Sequence, residues 1–425
     1  MTLRPIYPIR HPLVDKRVRV PASKSVANRE LVLSAVADGR SHLRLGPLDP
    51  GDDVRAMRQA VAALGYAVEW DRTGSVTVTG AGARPPFAEP TINAGDGGTV
   101  ARFAAALAAL GTGRSTIDGS ERLRERPMAP LLKALRELGA KAEGDALPVQ
   151  ITGPLAGGEV SVAGGQSSQF ATALLLVAPR LRDGLHLRIT GGLVSAPFVD
   201  LTVACLAARG VKVERPAPYE FIVRPQRVKA RSFDVPGDAT AATYPAAAAA
   251  ILGGAVTVID IDARERPGAQ GDLRFFSLLE EMGCSVSRGG NAVTVRRVGE
   301  LHGIVVDVQD CSDTFPTLAV VAAFAQEPSE LSGIAHTRRQ ESDRIAAVAA
   351  GLRAVGAGAT AYGSALRIEP APLHSEIVDA CGDHRIAMAF SILGLQVPGG
   401  AIEGSDVVAK TFPDFYTMLK ELGGR

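Results

Sequence analysis

The stretch Ala62-Ala-Leu-Gly65, together with the alternating residues 67–80 that follow it, decides the fold. An amphipathic segment that stops on Gly and then alternates with period two reads as a helix, a left-handed terminator and two strands across a turn. The device recurs at Arg136-Glu-Leu-Gly139, Ala208-Arg-Gly210, Glu281-Met-Gly283, Ala354-Val-Gly356 and Glu421-Leu-Gly423, with successive glycines 67 to 74 residues apart. Five of the six lead into a strand pair, over 67–80, 140–153, 211–225, 284–297 and 357–370. A second helix set lies between them, expected to start near Ser23, Gly97, Ser167, Asp238, Ser312 and Gly382. Each of its members leads into a strand such as 185–190 or 255–260. The unit of two helices and about four strands exceeds the ~20–50 residues of a solenoid repeat. It reads as a compact α/β unit, repeated six times, that needs neighbours to bury its faces.

The ends of the chain suggest how the repeats close. The sixth repeat has no hairpin, whereas the first 20 residues (Ile6-Tyr-Pro-Ile9, Val18-Arg-Val20) read as strands without a helix of their own. The simplest closure predicts a discontinuous lobe of residues 1–20 plus 238–425, with 21–237 inserted as the other lobe. The crossovers would lie near Pro21 and Val235-Pro-Gly237, both turn-like. Three repeats per lobe and a cleft between the lobes are the expectation.

Composition narrows the function. With 425 residues and a net charge of +1, the chain as a whole is not suited to nucleic acid or a membrane surface, and any anion site must come from local clustering. Cys205, Cys284, Cys311 and Cys381 are scattered without a CxxC, so neither zinc nor a disulfide framework is expected. No Walker A loop, dinucleotide fingerprint or metal-ligand cluster stands out, so no cofactor and no metal are expected. The apolar run 244–259 is broken by Pro245 and a Gly pair, and reads as buried helix turning into strand. With no N-terminal apolar signal, a cytoplasmic protein is expected.

The starts of the second helix set are more polar than capping requires. They read Ser23-Lys-Ser25, Asn93-Ala-Gly-Asp-Gly-Gly-Thr99, Gly165-Gln-Ser-Ser-Gln169, Gly237-Asp-Ala-Thr240, Asp310-Cys-Ser-Asp313 and Cys381-Gly-Asp-His-Arg385. Small residues let backbone amides approach a ligand, and the unpaired amides and dipole of a helix start favour an anion. Lys24, Arg29, Arg102, Arg126, Arg344, Arg385 and Lys410 are interleaved with these starts. Such cations suit phosphate and carboxylate, and most of them are expected to converge. Asp313 and Glu341 oppose anion binding, which points to proton transfer. The alternative is that they are caps paired to a nearby Arg. His384 is either a further acid–base group or a helix-start donor.

Together these motifs resemble the 5-enolpyruvylshikimate-3-phosphate synthase family of enolpyruvyl transferases. The resemblance rests on Ser23-Lys-Ser-Val-Ala-Asn-Arg29, Gly98-Thr-Val-Ala-Arg102, Arg124-Glu-Arg-Pro127, Ser167-Ser-Gln169, Glu341-Ser-Asp-Arg344, Asp383-His-Arg385 and Lys410-Thr-Phe-Pro413. It implies a two-lobed inverse α/β barrel of six βαβαββ repeats, three per lobe. It also implies a reaction between shikimate 3-phosphate and phosphoenolpyruvate that releases phosphate through a tetrahedral adduct. By the resemblance, Ser25, Arg29, Ser167, Ser168, Gln169, Ser195, Asp313 and Gln340 would hold shikimate 3-phosphate. Lys24, Gly98, Arg126, Gln169, Arg344, Arg385 and Lys410 would hold phosphoenolpyruvate. Asp313 would accept the proton of the attacking 5-hydroxyl, and Glu341, with Lys24 a further candidate, would serve the methylene carbon.

The chain departs from the family pattern at four positions. Gln340 stands where Lys is frequent, His336 where Asn is expected, Asp96 where Asn is common, and Phe198 where a tyrosine occurs. Two rivals remain. One is the sister enolpyruvyl transferase of UDP-N-acetylglucosamine, which would want a cysteine in 112–126, where this chain has none. The other is a non-catalytic anion-binding protein, which would gain nothing from Asp313 and Glu341. A monomer acting on small molecules is expected.

Overall fold

The computed structural model describes residues 2–71, 74–82 and 85–423. The chain divides into two compact units. One comprises Met1–Pro21, Pro236–Glu265 and Gln270–Arg425; the other comprises Ala22–Val235 and Arg266–Ala269.

In the unit built on 22–235, the middle sheet shows the plan. Its strands lie in the order Thr91–Asn93, Arg114–Asp118, Val149–Thr152, Lys141–Glu143. The first pair is parallel and needs a crossover, which the Gly98–Ala108 helix supplies; the other pairs are antiparallel. The sheet containing Gly158–Gly164 and Leu185–Leu193 repeats this order. In the remaining sheet, the parallel partner of Asp38–Arg44 is Ser232–Asp234, from the far end of the unit.

The unit containing the N-terminus obeys the same plan. Gly254–Ile259 takes Leu13–Arg19 as its parallel partner. In each unit, then, a sheet is closed by pairing strands that flank a crossover of the chain. Ile377–Asp379 pairs in parallel with Ala401–Glu403, whose other edge is covered by antiparallel Leu3–Pro5. The N-terminal strand thus occupies the place that a hairpin strand fills in the other sheets. An open edge there would invite foreign pairing.

Two kinds of helix follow from their sequences. Lys24–Ala35, Gly98–Ala108 and Gln169–Val177 are buried almost throughout, as are Ala239–Leu252, Phe315–Ala322 and His384–Gly394. A helix apolar on most sides has to lie inside, and Lys24–Ala35 does so with Arg29 and Glu30 paired internally. In each unit these three helices pack on one another. Helices such as Asp52–Ala63, Ala129–Glu137 and Arg274–Glu281 bury one face only. Helices inside and sheets outside make each unit an inverse α/β barrel.

The Arg209–Glu30 ion pair lies fully inside the unit built on 22–235. Arg209 donates to Glu30 Oε2 at 2.6 Å, to Ser34 Oγ at 2.8 Å and to Ser41 Oγ at 3.1 Å. It ties the Lys24–Ala35 helix to the end of the Pro197–Ala208 helix.

Candidate active site

In the unit built on 22–235, the Lys24–Ala35 helix opens on Ser23, whose hydroxyl accepts the Val26 amide at 3.4 Å. Lys24 Nζ lies 3.3 Å from Asp53 Oδ2, a buried carboxylate at the start of the Asp52–Ala63 helix. Arg29 is buried and donates to the Ser25 carbonyl at 2.6 Å, the Phe198 carbonyl at 2.9 Å and Thr202 Oγ1 at 2.9 Å. The helix start that carries Lys24 and Ser25 is thereby fastened to the first turn of Pro197–Ala208. Burial draws the Arg29 guanidinium down to about 10, which leaves it charged at neutral pH. The Phe198 ring lies 5.8 Å from its Cζ, so the aromatic that lacks a hydroxyl faces this cation. Ser195, with φ of +53°, accepts the Phe198 amide on its carbonyl at 3.1 Å.

Gly98 begins the next buried helix, and its lack of a side chain is what admits two cations. A Cβ there would lie 2.8 Å from Arg102 Nη1 and 2.9 Å from Arg126 Nη2. Arg102 donates to Gln169 Oε1 at 2.6 Å and to the Pro127 carbonyl at 2.8 Å. It therefore sets the side chain that opens the Gln169–Val177 helix. Ser167 Oγ accepts the Gln169 amide at 3.2 Å, and Ser168 is buried. Arg126 donates to the Asp96 carbonyl at 3.2 Å. The Asp96 carboxylate accepts the hydroxyl of Ser120, the cap of the short Glu121–Arg124 turn. Arg124 is turned to Asp118, in bidentate contact at 2.9 and 2.7 Å.

The other unit holds the acids. Arg344, the first residue of Arg344–Ala354, has a side chain only 1% exposed. It donates to Asp313 Oδ1 at 2.9 Å, Glu341 Oε2 at 2.9 Å and Asp383 Oδ2 at 2.7 Å, and also to Gln340 Oε1. The free oxygens of the first two carboxylates reach further cations: Asp313 Oδ2 lies 2.6 Å from Arg385 Nη2, and Glu341 Oε1 lies 3.0 Å from Lys410 Nζ. Lys410, Glu341, Arg344, Asp313 and Arg385 thus form a chain of alternating charge. Burial opposes the charge on Arg344, but Asp383, Glu341 and Asp313 together raise its proton affinity above the ordinary arginine value. The same balance, with Asp313 the leading partner, raises Arg385.

Asp383 caps the His384–Gly394 helix, accepting the Arg385 amide at 2.9 Å and Ser342 Oγ at 3.1 Å. His384 is fully buried, its Nδ1 3.6 Å from Asp383 Oδ1. His336 Nε2 is 2.8 Å from Ser312 Oγ, beside Asp313 in the chain. Burial holds this imidazole below its ordinary value, so it is neutral at pH 7 and able to share a proton with Ser312.

The sequence-derived candidates therefore fall into two sets. Lys24, Ser25, Arg29, Gly98, Arg126, Ser167, Ser168, Gln169 and Ser195 belong to one unit; Asp313, Gln340, Glu341, Arg344, Arg385 and Lys410 belong to the other. Asp53, Thr202 and Asp272 escaped the sequence reading. Asp53 stands at a helix start after Gly51, a visible capping signal, but nothing in sequence couples it to Lys24. Among the described residues no group of His, Cys, Asp and Glu is arranged to hold a metal ion, and no helix is long and apolar enough to cross a membrane.

The profile of the EPSP synthase (3-phosphoshikimate 1-carboxyvinyltransferase) family matches residues 10–419. The chain belongs to this family. A 3-phosphoshikimate 1-carboxyvinyltransferase of Methanosphaerula palustris is 39% identical over 416 residues, covering 96% of this chain and 97% of the relative. Its counterpart in Pectobacterium carotovorum is 39% identical over 433 residues, covering 99% and 98%. The EPSP synthase structure from Acinetobacter baumannii superposes with a TM-score of 0.82 at 26% identity, covering 100% of this chain and 98% of that one. The two-lobed α/β fold expected from the motifs is the family's fold. These matches favour the shikimate branch of the enolpyruvyl transferases and not the UDP-N-acetylglucosamine branch.

Proposed function

We propose that Asp313 and Glu341 move the protons of the family's reaction, and that the residues of both units serve that one reaction. The activity is enolpyruvyl transfer from phosphoenolpyruvate to shikimate 3-phosphate with release of phosphate. In the addition step the 5-hydroxyl oxygen bonds to C2 of phosphoenolpyruvate, its proton passes to the Asp313 carboxylate, and C3 receives a proton from Glu341 or Lys24. In the elimination step the C2–O(phosphate) bond breaks, the proton held by Asp313 passes to the departing phosphate, and C3 returns its proton to Glu341 or Lys24, giving the enol ether and inorganic phosphate.

The observation that carries the assignment is the double engagement of each acid. Asp313 lies between Arg344 and Arg385, at 2.9 and 2.6 Å, and Glu341 between Arg344 and Lys410, at 2.9 and 3.0 Å. These cations suit the phosphate and carboxylate of phosphoenolpyruvate. An anion that draws them away removes the partners that keep both acids ionised, and their proton affinity rises. Substrate arrival thus makes Asp313 a stronger base and lets Glu341 take up the proton that it then gives to C3.

We assign Lys24, Gly98, Arg126, Gln169, Arg344, Arg385 and Lys410 to phosphoenolpyruvate. Ser25, Arg29, Ser167, Ser168, Gln169, Ser195, Asp313 and Gln340 are assigned to shikimate 3-phosphate. Gln340, engaged with Arg344, offers an amide where a lysine would offer a charge. The test is phosphate release from phosphoenolpyruvate in the presence of either shikimate 3-phosphate or UDP-N-acetylglucosamine. Release with the first alone is expected. Release with the second alone, or binding of phosphoenolpyruvate without turnover, overturns the reading.

A further inference from the structure

Beside the turn that carries Asp313 lies a carboxyl that the reaction as written does not use. Asp272 sits on the short turn Gly271–Leu273, only 3% exposed. This turn packs against the Gln309–Thr314 turn that carries Asp313 and against the Ala239–Leu252 helix. One oxygen, Oδ2, accepts the Thr240 hydroxyl, whereas the other, Oδ1, is buried with no donor. A buried carboxylate oxygen without a hydrogen bond is costly, so its retention calls for a reason.

The charged and titratable groups around it are few. Asp313 faces it from the Gln309–Thr314 turn, Arg385 from the His384–Gly394 helix, and Asp238 from the cap of Ala239–Leu252. Cys311 also feels its charge, with a thiol that burial pushes up to about 12, and Arg274 lies near that thiol. Tyr244 lies beside Arg385, outside strict hydrogen-bond geometry, and burial pushes its phenol up to about 12. Of these groups, Arg385 is the cation on which both carboxylates act, with Asp313, 2.6 Å away, the stronger partner and Asp238 weaker than either.

We propose that Asp272 is a positioning residue that sets the proton affinity of Asp313 across the shared guanidinium of Arg385. The inference rests on Asp313 being the base. Burial, and after it the charge of Asp313, pushes the Asp272 carboxyl up to about 7. Below that pH Asp272 is neutral and Asp313 remains the leading carboxylate partner of Arg385, with Asp238 beyond it. Above it Asp272 is charged, and the charge acts in two directions at once. It repels negative charge on Asp313, making that carboxylate a stronger base, and it offsets part of the attraction of Arg385 for an incoming anion. Ionised Asp272 therefore raises kcat and also raises KM for phosphoenolpyruvate.

That opposition separates the inference from a merely structural role, which would weaken binding and turnover together. The experiment is the pH dependence of kcat and KM between pH 6 and 9 for the wild type, Asp272→Asn and Thr240→Ala. Asp272→Asn should lose several-fold in kcat at pH 8 while KM for phosphoenolpyruvate falls, and the two enzymes should converge at pH 6. Thr240→Ala removes the one donor that stabilises ionised Asp272, so the step in the profile should move to higher pH. This variant decides the matter if Asp272→Asn does not fold. A wild-type profile in both variants, or a loss of affinity and turnover in parallel at every pH, overturns the inference. Asp313→Asn is measured alongside. Turnover near the wild-type rate in that variant would refute the base assignment itself, and this inference with it.

Discussion

Replacing Gly98 by alanine puts a single methyl group against two guanidiniums. The added Cβ would stand 2.8 Å from Arg102 Nη1, 2.9 Å from Arg126 Nη2 and 3.0 Å from Arg126 Cζ. Ordinary carbon contacts begin near about 3.5 Å, so the groups must retreat by about 0.5–0.7 Å. Both are the far ends of flexible side chains, so the backbone need not move, and alanine is the better helix former by about 1 kcal/mol. The fold should be as stable as before. The loss falls on the ligand: a charge-assisted hydrogen bond is worth about 1.5–3 kcal/mol, and forfeiting one raises KM for phosphoenolpyruvate by about 10–100-fold. Arg126 carries most of this effect, because Arg102 is held on its other side by Gln169 and Pro127. Steady-state kinetics with each substrate varied, beside a thermal melt, measures it. KM for shikimate 3-phosphate should change by less than about threefold, an effect under 1 kcal/mol. An unchanged KM for phosphoenolpyruvate would refute the reasoning. So would a lowered melting temperature with both KM values rising together.

Glu341→Gln should lower kcat by about 10²–10⁴-fold, the usual worth of a positioned acid–base group, while calorimetric titration still detects shikimate 3-phosphate binding. Arg209→Met leaves Glu30 charged and unpaired at 1% exposure and should cost about 3–5 kcal/mol. Urea unfolding reads this as an early transition, and Glu30→Met in the same chain should restore part of the loss. His336 has a folded-state value below its ordinary 6.5, so the unfolded chain takes up this proton first. The contribution is present above about pH 6.5 and is lost as pH falls through the folded value. His336→Asn lacks that loss, so its urea midpoint should gain on the wild type between pH 7.5 and 5.

The periodic part of the fold was open to reading from sequence because each repeat announces itself locally. A helix ending on glycine and an alternating hairpin need only neighbouring residues, and the helix starts foreseen near Ser23, Gly97, Ser167 and Asp238 fall at Lys24, Gly98, Gln169 and Ala239. Strand partners are less visible. The first 20 residues read as strands and Ser232–Asp234 carries no strand signal, and the pairing of Leu13–Arg19 with Gly254–Ile259 and of Ser232–Asp234 with Asp38–Arg44 depends on which edge is left open. Alternation fixes a face, not a neighbour. The site divides in the same way. Cations at helix starts can be picked out by type and position, whereas Asp53 and Asp272 matter only through residues distant in the chain.

The carboxylates are where reading from sequence left its alternatives open, since Asp313 and Glu341 could be caps paired to arginine or proton carriers. On the proposed mechanism these become one role. Arg344 has three carboxylates on it, and only Asp383 also caps a helix. Asp383 is spent twice on structure, on Arg344 and on the Arg385 amide, so it is the fixed counterion. Asp313 and Glu341 each lie between two cations, and each is the group a substrate anion would have to replace. Buried cations without such stand-ins would bear the full desolvation penalty. With them, binding becomes an exchange of one anion for another, and the displaced carboxylate is left beside the substrate with its proton affinity raised. Stabilising the cations and supplying the base are then the same act.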